Sequence, residues 1–420
     1  MDRKNNQLWI GCIADDFTGG SDAASFLQKA GLRTFLLDGT EDGKAALEHL
    51  RPEAVVIALK TRSIAVAQAV KQSVDAAEWL LKQGAQQLYF KYCSTFDSTS
   101  EGNIGPVTDA LLELTGSQYT VLCPSLPVNG RTVEDGILYV HGIPLGESSM
   151  RYHPINPMKE SALTKLMEAQ SRYPCFWLTR QQMRQRNPVT DCRTEGHFTV
   201  VPPYVSDEDG AQIAEKFGHL PLLTGGSGLL KHLGHRIRND AKSKPDLEDL
   251  PVRKTLPRLI LSGSCSAMTQ RQVQVYLESG ASAVRIDPEK LLSGEQTEAT
   301  LQEAIKSAKG DLLLYSTANS AEVTACQRFG MERISTLLEG LMGRMAVYGK
   351  RCGFQRIVVA GGETSGAVIR ALGLHVFQVG QDAAPGVPEL WPTEQPELGL
   401  VLKSGNFGDE QFFLTAFRTA

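Results

Sequence analysis

The chain has 420 residues, 42% of them hydrophobic and 21% charged. This is the composition of an ordinary globular protein, with more chain than one hydrophobic core usually serves, so two domains are expected. A formal net charge of -4, with Lys and Arg scattered along the chain, supplies no basic field for nucleic acid, and the polar start Met1–Gln7 leads into an apolar run too short for a signal-peptide core or a membrane span. A cytoplasmic protein without a nucleic-acid or membrane partner is the expectation.

Short apolar or β-branched runs recur in chain order, each followed by a stretch with helical spacing: Leu8–Ile13, Thr34–Leu37, Ala54–Leu59, Leu88–Lys91, Tyr119–Leu122, Leu220–Thr224, Leu259–Ser262, Ala283–Ile286, Asp311–Ser316, Arg356–Ala360 and Val376–Val379. This rhythm predicts an α/β fold of two domains, each a mostly parallel sheet flanked by helices. The pattern stops in the charged, proline-bearing stretch Arg236–Arg258, which divides the chain into domains 1–240 and 258–420 joined by a linker at 241–257. Pro124–Pro157 is rich in Pro, Gly and Ser, too long for an ordinary connection, and predicts a β-excursion or a flap over a site, with Leu138–Val140 as a strand. The cysteines show no C-x-x-C spacing and no closely placed histidines, so reduced, packed side chains are expected. His141 and His153 lack metal-like neighbours and are read as ordinary polar residues.

Several strand ends carry chemistry. "IADDFTGGSD" places Asp15 and Asp16 at the carboxyl end of the first strand, where open parallel sheets form ligand crevices. The plainer alternative is one aspartate as a helix cap and the other solvated; but Ser21 or Asp22 can cap the next helix, leaving both free for general-base work or metal-mediated contact with phosphates. "KYCSTFDSTSEGNIG" adds Lys91 and Asp97 among many hydroxyls, a set able to hold a small polyhydroxy acid. "KTRS" adds Arg62, the planar fork suited to a carboxylate. In the second half, "IVVAGGETSGAV" is a strand, a glycine-rich turn and a helix start, the usual setting of an anion site. It is neither a Walker A loop nor G-x-G-x-x-G. "LSGSCSAMT" and "KSGNFG" supply two further small-residue turns of the kind that suits a nucleotide cradle.

Taken together, "IADDFTGGSDAA", "KTRS", "KYCSTFDSTSEGNIGPV", "LSGSCSAMTQRQV", "VVAGGETSGAV" and "KSGNFG" resemble the four-carbon acid sugar kinases, in particular their 3-oxo-tetronate branch, in consistent order from residue 8 to 416. The resemblance implies an ATP-dependent kinase that phosphorylates the terminal C4 hydroxyl of a four-carbon sugar acid. It implies an N-terminal domain for the acid, using Asp15, Asp16, Arg62, Lys91 and Asp97, and a C-terminal domain for ATP, using Ser262, Ser264, Gly361, Gly362, Glu363, Thr364 and Gly405. Mg²⁺ would arrive with ATP rather than at a fixed protein site. Relatives acting on threonate or erythronate tend to carry Arg where this chain has Glu101, which leans towards 3-oxo-tetronate and leaves the other two acids as alternatives. On this reading Asp16 is the base or orients the hydroxyl, Asp15 holds substrate or Mg²⁺, Arg62 and Lys91 grip the carboxylate, and closure about 241–257 excludes water. A dinucleotide oxidoreductase and a non-catalytic sugar-acid binder are the rival classes, the first disfavoured by its missing glycine spacing. The oligomeric state stays open, with a homodimer among the expectations.

Overall fold

A strand buried on both faces needs near-continuous hydrophobic sequence, and the runs "IGCIA" of Ile10–Ala14 and "AVVIA" of Ala54–Ala58 are buried at every residue. The computed structural model describes residues 7–39, 43, 47, 50–152, 156–192, 194–241, 256–319, 322, 324 and 327–418. The expected linker lies outside them from 242 to 255, as does His153. The chain divides into two compact units, Met1–Asp246 and Leu247–Ala420.

The first unit contains β1 (Ile10–Ala14), β2 (Thr34–Leu37), β3 (Ala54–Ala58), β4 (Gln87–Lys91), β5 (Tyr119–Cys123), β6 (Arg131–Glu134), β7 (Ile137–Val140), β8 (Ile143–Pro144), β9 (Cys175–Trp177), β10 (Phe198–Val201) and β11 (Leu222–Gly225). Apart from β6–β8, they run in the order β2-β3-β1-β4-β11-β5-β10-β9, and every pairing is parallel. Helices cross between them. Val66–Lys82, for example, buries Ala69, Ser73, Ala76, Ala77 and Leu80, a stripe at helical spacing. The expected excursion is present as the antiparallel sheet β6-β7-β8, tied to the rest of its unit by bridges from Val133 to Tyr204 and from Ile137 to Ala162.

The second unit contains β12 (Arg258–Ser262), β13 (Ala283–Arg285), β14 (Leu312–Tyr315), β15 (Arg356–Ala360), β16 (Val376–Ala384), β17 (Val387–Pro392) and β18 (Gly399–Lys403). They run in the order β13-β14-β12-β15-β18-β17-β16. The pairings are parallel from β13 to β18 and antiparallel for the last two. Among the described residues no helix is long and apolar enough to cross a membrane. Cys12, Cys123 and Cys175 are free and buried.

Two departures from the sequence reading have physical causes. Strands β9, β10, β17 and β18 were not foreseen: β9 has three residues, and "VPELWP" of β17 carries prolines at 388 and 392 that read as breakers. Pro388 is accommodated because it lies opposite Asp382 where the register shifts, a place where a missing N–H costs little. The second departure concerns the first helix, which is Phe17–Lys29 and is capped by Asp16; Ser21 and Asp22 lie inside it, buried. The glycines read as a turn are its first turns. A methyl group on Gly20 would stand 3.0 Å from Ala58 Cβ, so glycine permits close packing of this helix on β3.

A buried ion pair fastens the edge of the second unit. Arg258, 1% exposed, donates from Nε and Nη2 to Asp311 Oδ2 at 3.1 and 2.6 Å and from Nη1 to the Ala416 carbonyl at 2.6 Å. Burial pushes the Asp311 carboxyl up, but Arg258 and Arg418 outweigh it and hold the group below the usual carboxylate range. A depressed folded value makes this stabilisation present above the unfolded carboxyl value of about 3.9 and lost as pH falls through the folded one. Asp311→Ala, which strands the Arg258 charge, should cost about 3–5 kcal/mol. Urea unfolding of the full chain between neutral and acid pH measures both effects, and an unchanged midpoint would remove the pair from the list of stabilising contacts.

Candidate active site

In the first unit, parallel strands bring their carboxyl ends together, and the backbone binds the ends of β1, β3 and β4. Asp15 N–H donates to the Lys91 carbonyl at 3.0 Å, and the N–H groups of Thr61 and Arg62 donate to the Asp15 carbonyl at 3.0 and 3.3 Å. The side chains follow. Arg62 donates from Nε to Asp15 Oδ2 at 2.9 Å and from Nη2 to Oδ1 at 2.8 Å, while its Nη1 lies 2.9 Å from Asp16 Oδ2. Asp16 also accepts the Gly19 N–H at 2.7 Å and the Thr18 hydroxyl at 3.2 Å. A methyl on Gly19 would fall 2.4 Å from Asp16 Oδ1 and 3.1 Å from Lys91 Nζ, so the cap and the lysine both require glycine there. Lys91 is 3% exposed and donates to the Tyr92 carbonyl at 2.9 Å.

The two carboxylates are pulled apart in acidity. Burial pushes Asp15 up, and the Arg62 guanidinium offsets only part of this. Burial also acts on Asp16, but Arg62, Lys91, the Gly19 N–H and the Thr18 hydroxyl together hold it below the usual range. The environment therefore gives two neighbouring aspartates different proton affinities, the pattern that separates acid–base roles.

Asp15, Arg62 and Asp97 line one pocket of ≈ 240 Å³, counted to its open mouth, together with Thr61, Ser98 and Asn103. Asp97 accepts from Asn156 Nδ2 at 2.9 Å. Asn103, which the sequence did not single out as a site residue, donates from Nδ2 to the carbonyls of Thr61 at 2.6 Å and Ile64 at 2.9 Å, tying the "KTRS" segment to the helix Ile104–Thr115. Its Oδ1 is buried and has no partner among the described residues. An amide at a strand-to-helix junction is the signal that could have marked it. The structure thus brings Asp15, Asp16, Arg62, Lys91 and Asp97 to one end of the sheet, with Arg62 engaged by aspartates rather than open to solvent.

In the second unit, three small-residue turns leave the neighbouring strands β12, β15 and β18 and meet. A methyl on Gly263 would stand 2.2 Å from Thr364 Oγ1, and one on Gly405 would stand 2.6 Å from Ser264 Oγ. Gly361, at φ +122°, donates its N–H to the Lys403 carbonyl at 2.9 Å and precedes the helix Gly362–Leu372. Gly362 and Glu363 are exposed at that helix start, and Thr364 is buried behind them. Ser262 is fully buried, and its hydroxyl lies 2.7 Å from Thr317 Oγ1, so it braces the turn from beneath. Lys403, unremarked beyond its motif, is also fully buried. Its ammonium donates to Thr269 Oγ1 at 3.0 Å and to the carbonyls of Ser404 and Gly405 at 3.1 and 2.8 Å, and burial pulls its pKa down to about 7. Among the described residues no group of three or more His, Cys, Asp or Glu could hold a metal ion.

A polar, carboxylate-bearing pocket in one α/β unit and a helix-start turn set in the other are the equipment of a two-part small-molecule kinase. The sequence falls into the same two parts: residues 10–233 match the model of a sugar-binding N-terminal domain, and residues 259–413 that of a nucleotide-binding C-terminal domain. Relatives named 3-oxo-tetronate kinase come from Pseudomonas fluorescens, 41% identical over 99% of this chain and 98% of the relative, and from Brucella melitensis, 42% identical over 99% and 96%. A crystal structure from Salmonella typhimurium, 41% identical, superposes with a TM-score of 0.87 over 98% of this chain and 99% of that one. The chain belongs to the four-carbon acid sugar kinase family.

The cap makes a prediction that separates structure from chemistry. Asp16→Ala should cost about 0.5–2 kcal/mol through the lost cap, whereas Asp16→Asn, which can still accept the Gly19 N–H, should cost little. Thermal unfolding of both variants decides it; equal losses would show that the charge rather than the cap is what matters.

Proposed function

We propose that this chain transfers the γ-phosphoryl group of ATP to the terminal C4 hydroxyl of 3-oxo-tetronate, giving the 4-phosphate and ADP, as a cytoplasmic enzyme. The observation that carries the reading is a buried Asp15 and a half-buried Asp16 under one guanidinium, in a chain whose relatives over nearly its whole length are named 3-oxo-tetronate kinase. Domain 1–240 holds the acid and domain 258–420 the nucleotide.

In the reaction the C4 oxygen bonds to the γ-phosphorus, the bond from that phosphorus to the β,γ-bridging oxygen breaks, and the hydroxyl proton must leave. Asp15 takes this proton. It lines the pocket, and burial raises its affinity for a proton, whereas Asp16 caps the first helix and its proton affinity is held below the usual range. The sequence expectation had Asp16 as the base or the residue that orients the hydroxyl and left open which of the two aspartates takes the proton. Arg62 positions both aspartates, and Lys91 and Asp97 face the polyol part of the acid. Backbone N–H groups at the start of Gly362–Leu372, with Ser264, Thr364 and Gly405 alongside, receive the phosphates, and Glu363 at the exposed helix start contacts the nucleotide. Mg²⁺ brought with the nucleotide would neutralise phosphate charge, while the oxygens of Asp15 and Asp16 are engaged by Arg62.

ADP release measured with 3-oxo-tetronate, the threonates and the erythronates tests the reaction. Acid-dependent release, fastest with 3-oxo-tetronate, is expected; preference for a threonate or erythronate would reassign the acid, and no release with any of them would end the kinase reading. Asp15→Asn should lower kcat about 10²- to 10⁴-fold in folded protein. Wild-type activity should also fall as pH drops through the raised Asp15 value, and this acid limb should vanish in Asp15→Asn. A limb retained in that variant would return the base role to another group.

A further inference from the structure

Charges at the carboxyl ends of β1, β3 and β4 already offset one another, Asp15 and Asp16 against Arg62 and Lys91. The Arg62 fork is occupied by two carboxylates, so a substrate carboxylate would have to displace one of them. An anionic acid entering this end of the sheet is better met by a cation outside that balanced set.

Arg131 is such a cation. It opens β6, and the chain leaving β5 runs beside it: Leu126 N–H donates to the Arg131 carbonyl at 2.9 Å, and Arg131 N–H to the Leu126 carbonyl at 3.1 Å. Because β5 neighbours β11 and β11 neighbours β4, this places Arg131 at the same end of the sheet as Lys91. Cys93, just past β4, lies within electrostatic reach of both Arg131 and Arg62. Among the described residues one donor group of the guanidinium is used internally, Nη1 on the Asn129 carbonyl. The Nε is buried and has no acceptor, and among the described residues nothing accepts from Nη2 and no carboxylate pairs with the group. Burial lowers its pKa, with Cys93 as the opposing influence. The strand beneath is braced, for Glu134 of β6 accepts from Arg180 Nε at 2.8 Å, and Arg180 Nη1 also donates to Asp209 at 2.8 Å. A cation held on a fixed strand, partly stripped of water and lacking an anion, has the character of a ligand site.

We propose that Arg131 binds the carboxylate of the four-carbon acid through its Nη2 group. The identity of the acid rests on the kinase reading above; the need for a carboxylate does not. A charge-assisted hydrogen bond is strong, and its loss typically costs about 10- to 100-fold in binding.

The decisive experiment compares wild type, Arg131→Lys and Arg131→Met on 3-oxo-tetronate and on the uncharged four-carbon ketose that has CH2OH in place of the carboxylate. Thermal unfolding serves as the folding control. Arg131→Met should raise KM for the acid about 10- to 100-fold, leave KM for ATP within about twofold, and collapse the preference for acid over ketose; Arg131→Lys should keep part of that preference. An equal loss on acid and ketose, an unchanged KM for the acid, or a rise confined to ATP would overturn the assignment. Calorimetric titration of the acid without nucleotide separates the two readings. Binding to wild type but not to Arg131→Met supports the carboxylate site even if no turnover is found, and equal binding to both refutes it while leaving the kinase reading intact.

Discussion

The contact on which the N-terminal crevice depends is the grip of Arg62 on two consecutive aspartates. Adjacent carboxylates at a strand end repel each other and resist burial, and one planar guanidinium reaching both removes the repulsion while fixing their directions. Much of the local structure then follows. Asp16 can turn back to cap the first helix because Arg62 holds its other oxygen, and Asp15 can sit almost fully buried beside the pocket because its charge is matched. The Arg62 segment is in turn held by Asn103, which binds the carbonyls on either side of it. Three stretches far apart in sequence are thereby one mechanical unit.

The C-terminal unit solves a related problem by different means. Its three turns approach closely, so glycine is set by contact at 263 and 405 and by a positive φ at 361. Carbonyls crowded by such an approach need donors, and the buried ammonium of Lys403 supplies them to Ser404 and Gly405. The exposed rim of this site carries Gly362 and Glu363. That rim is the start of a helix, where the backbone itself carries partial positive charge.

How much of this was legible depended on whether a feature is local. Strands such as Ile10–Ala14 and Arg356–Ala360 announce themselves, since burial on both faces demands an unbroken apolar run. The strand-end residues Asp15, Arg62, Lys91 and Asp97 could be picked out because the ends of parallel strands converge whatever the detail. The helix cap could not: "DDFTGGSD" contains several good capping residues, and only the closeness of Asp16 Oδ1 to Gly19 shows which one is used and why glycine follows. Arg62 was read as a free fork because its partners lie 47 and 46 positions away, a distance no local pattern reports. The same holds for β17, whose Pro388 sits at a register shift visible only once its partner strand is in place.

The two units also divide the electrostatic work in a way that suits a transfer between unlike partners. A polyol acid is mostly neutral, with one charge at one end, so a pocket whose other charges are matched can hydrogen-bond its hydroxyls and leave one cation for that charge. A nucleotide carries its charge as a cluster, and backbone N–H groups around glycines can surround such a cluster closely where long cationic side chains would crowd it. If the first pocket held an excess of free cations, phosphate would compete with the acid for it. If the turns of the second were lined with carboxylates, phosphate would be repelled. Pairing Arg62 with two aspartates in one unit and satisfying turn carbonyls with a buried lysine in the other avoids both conflicts, and it ties the distribution of charge in each unit to the kind of ligand it can accept.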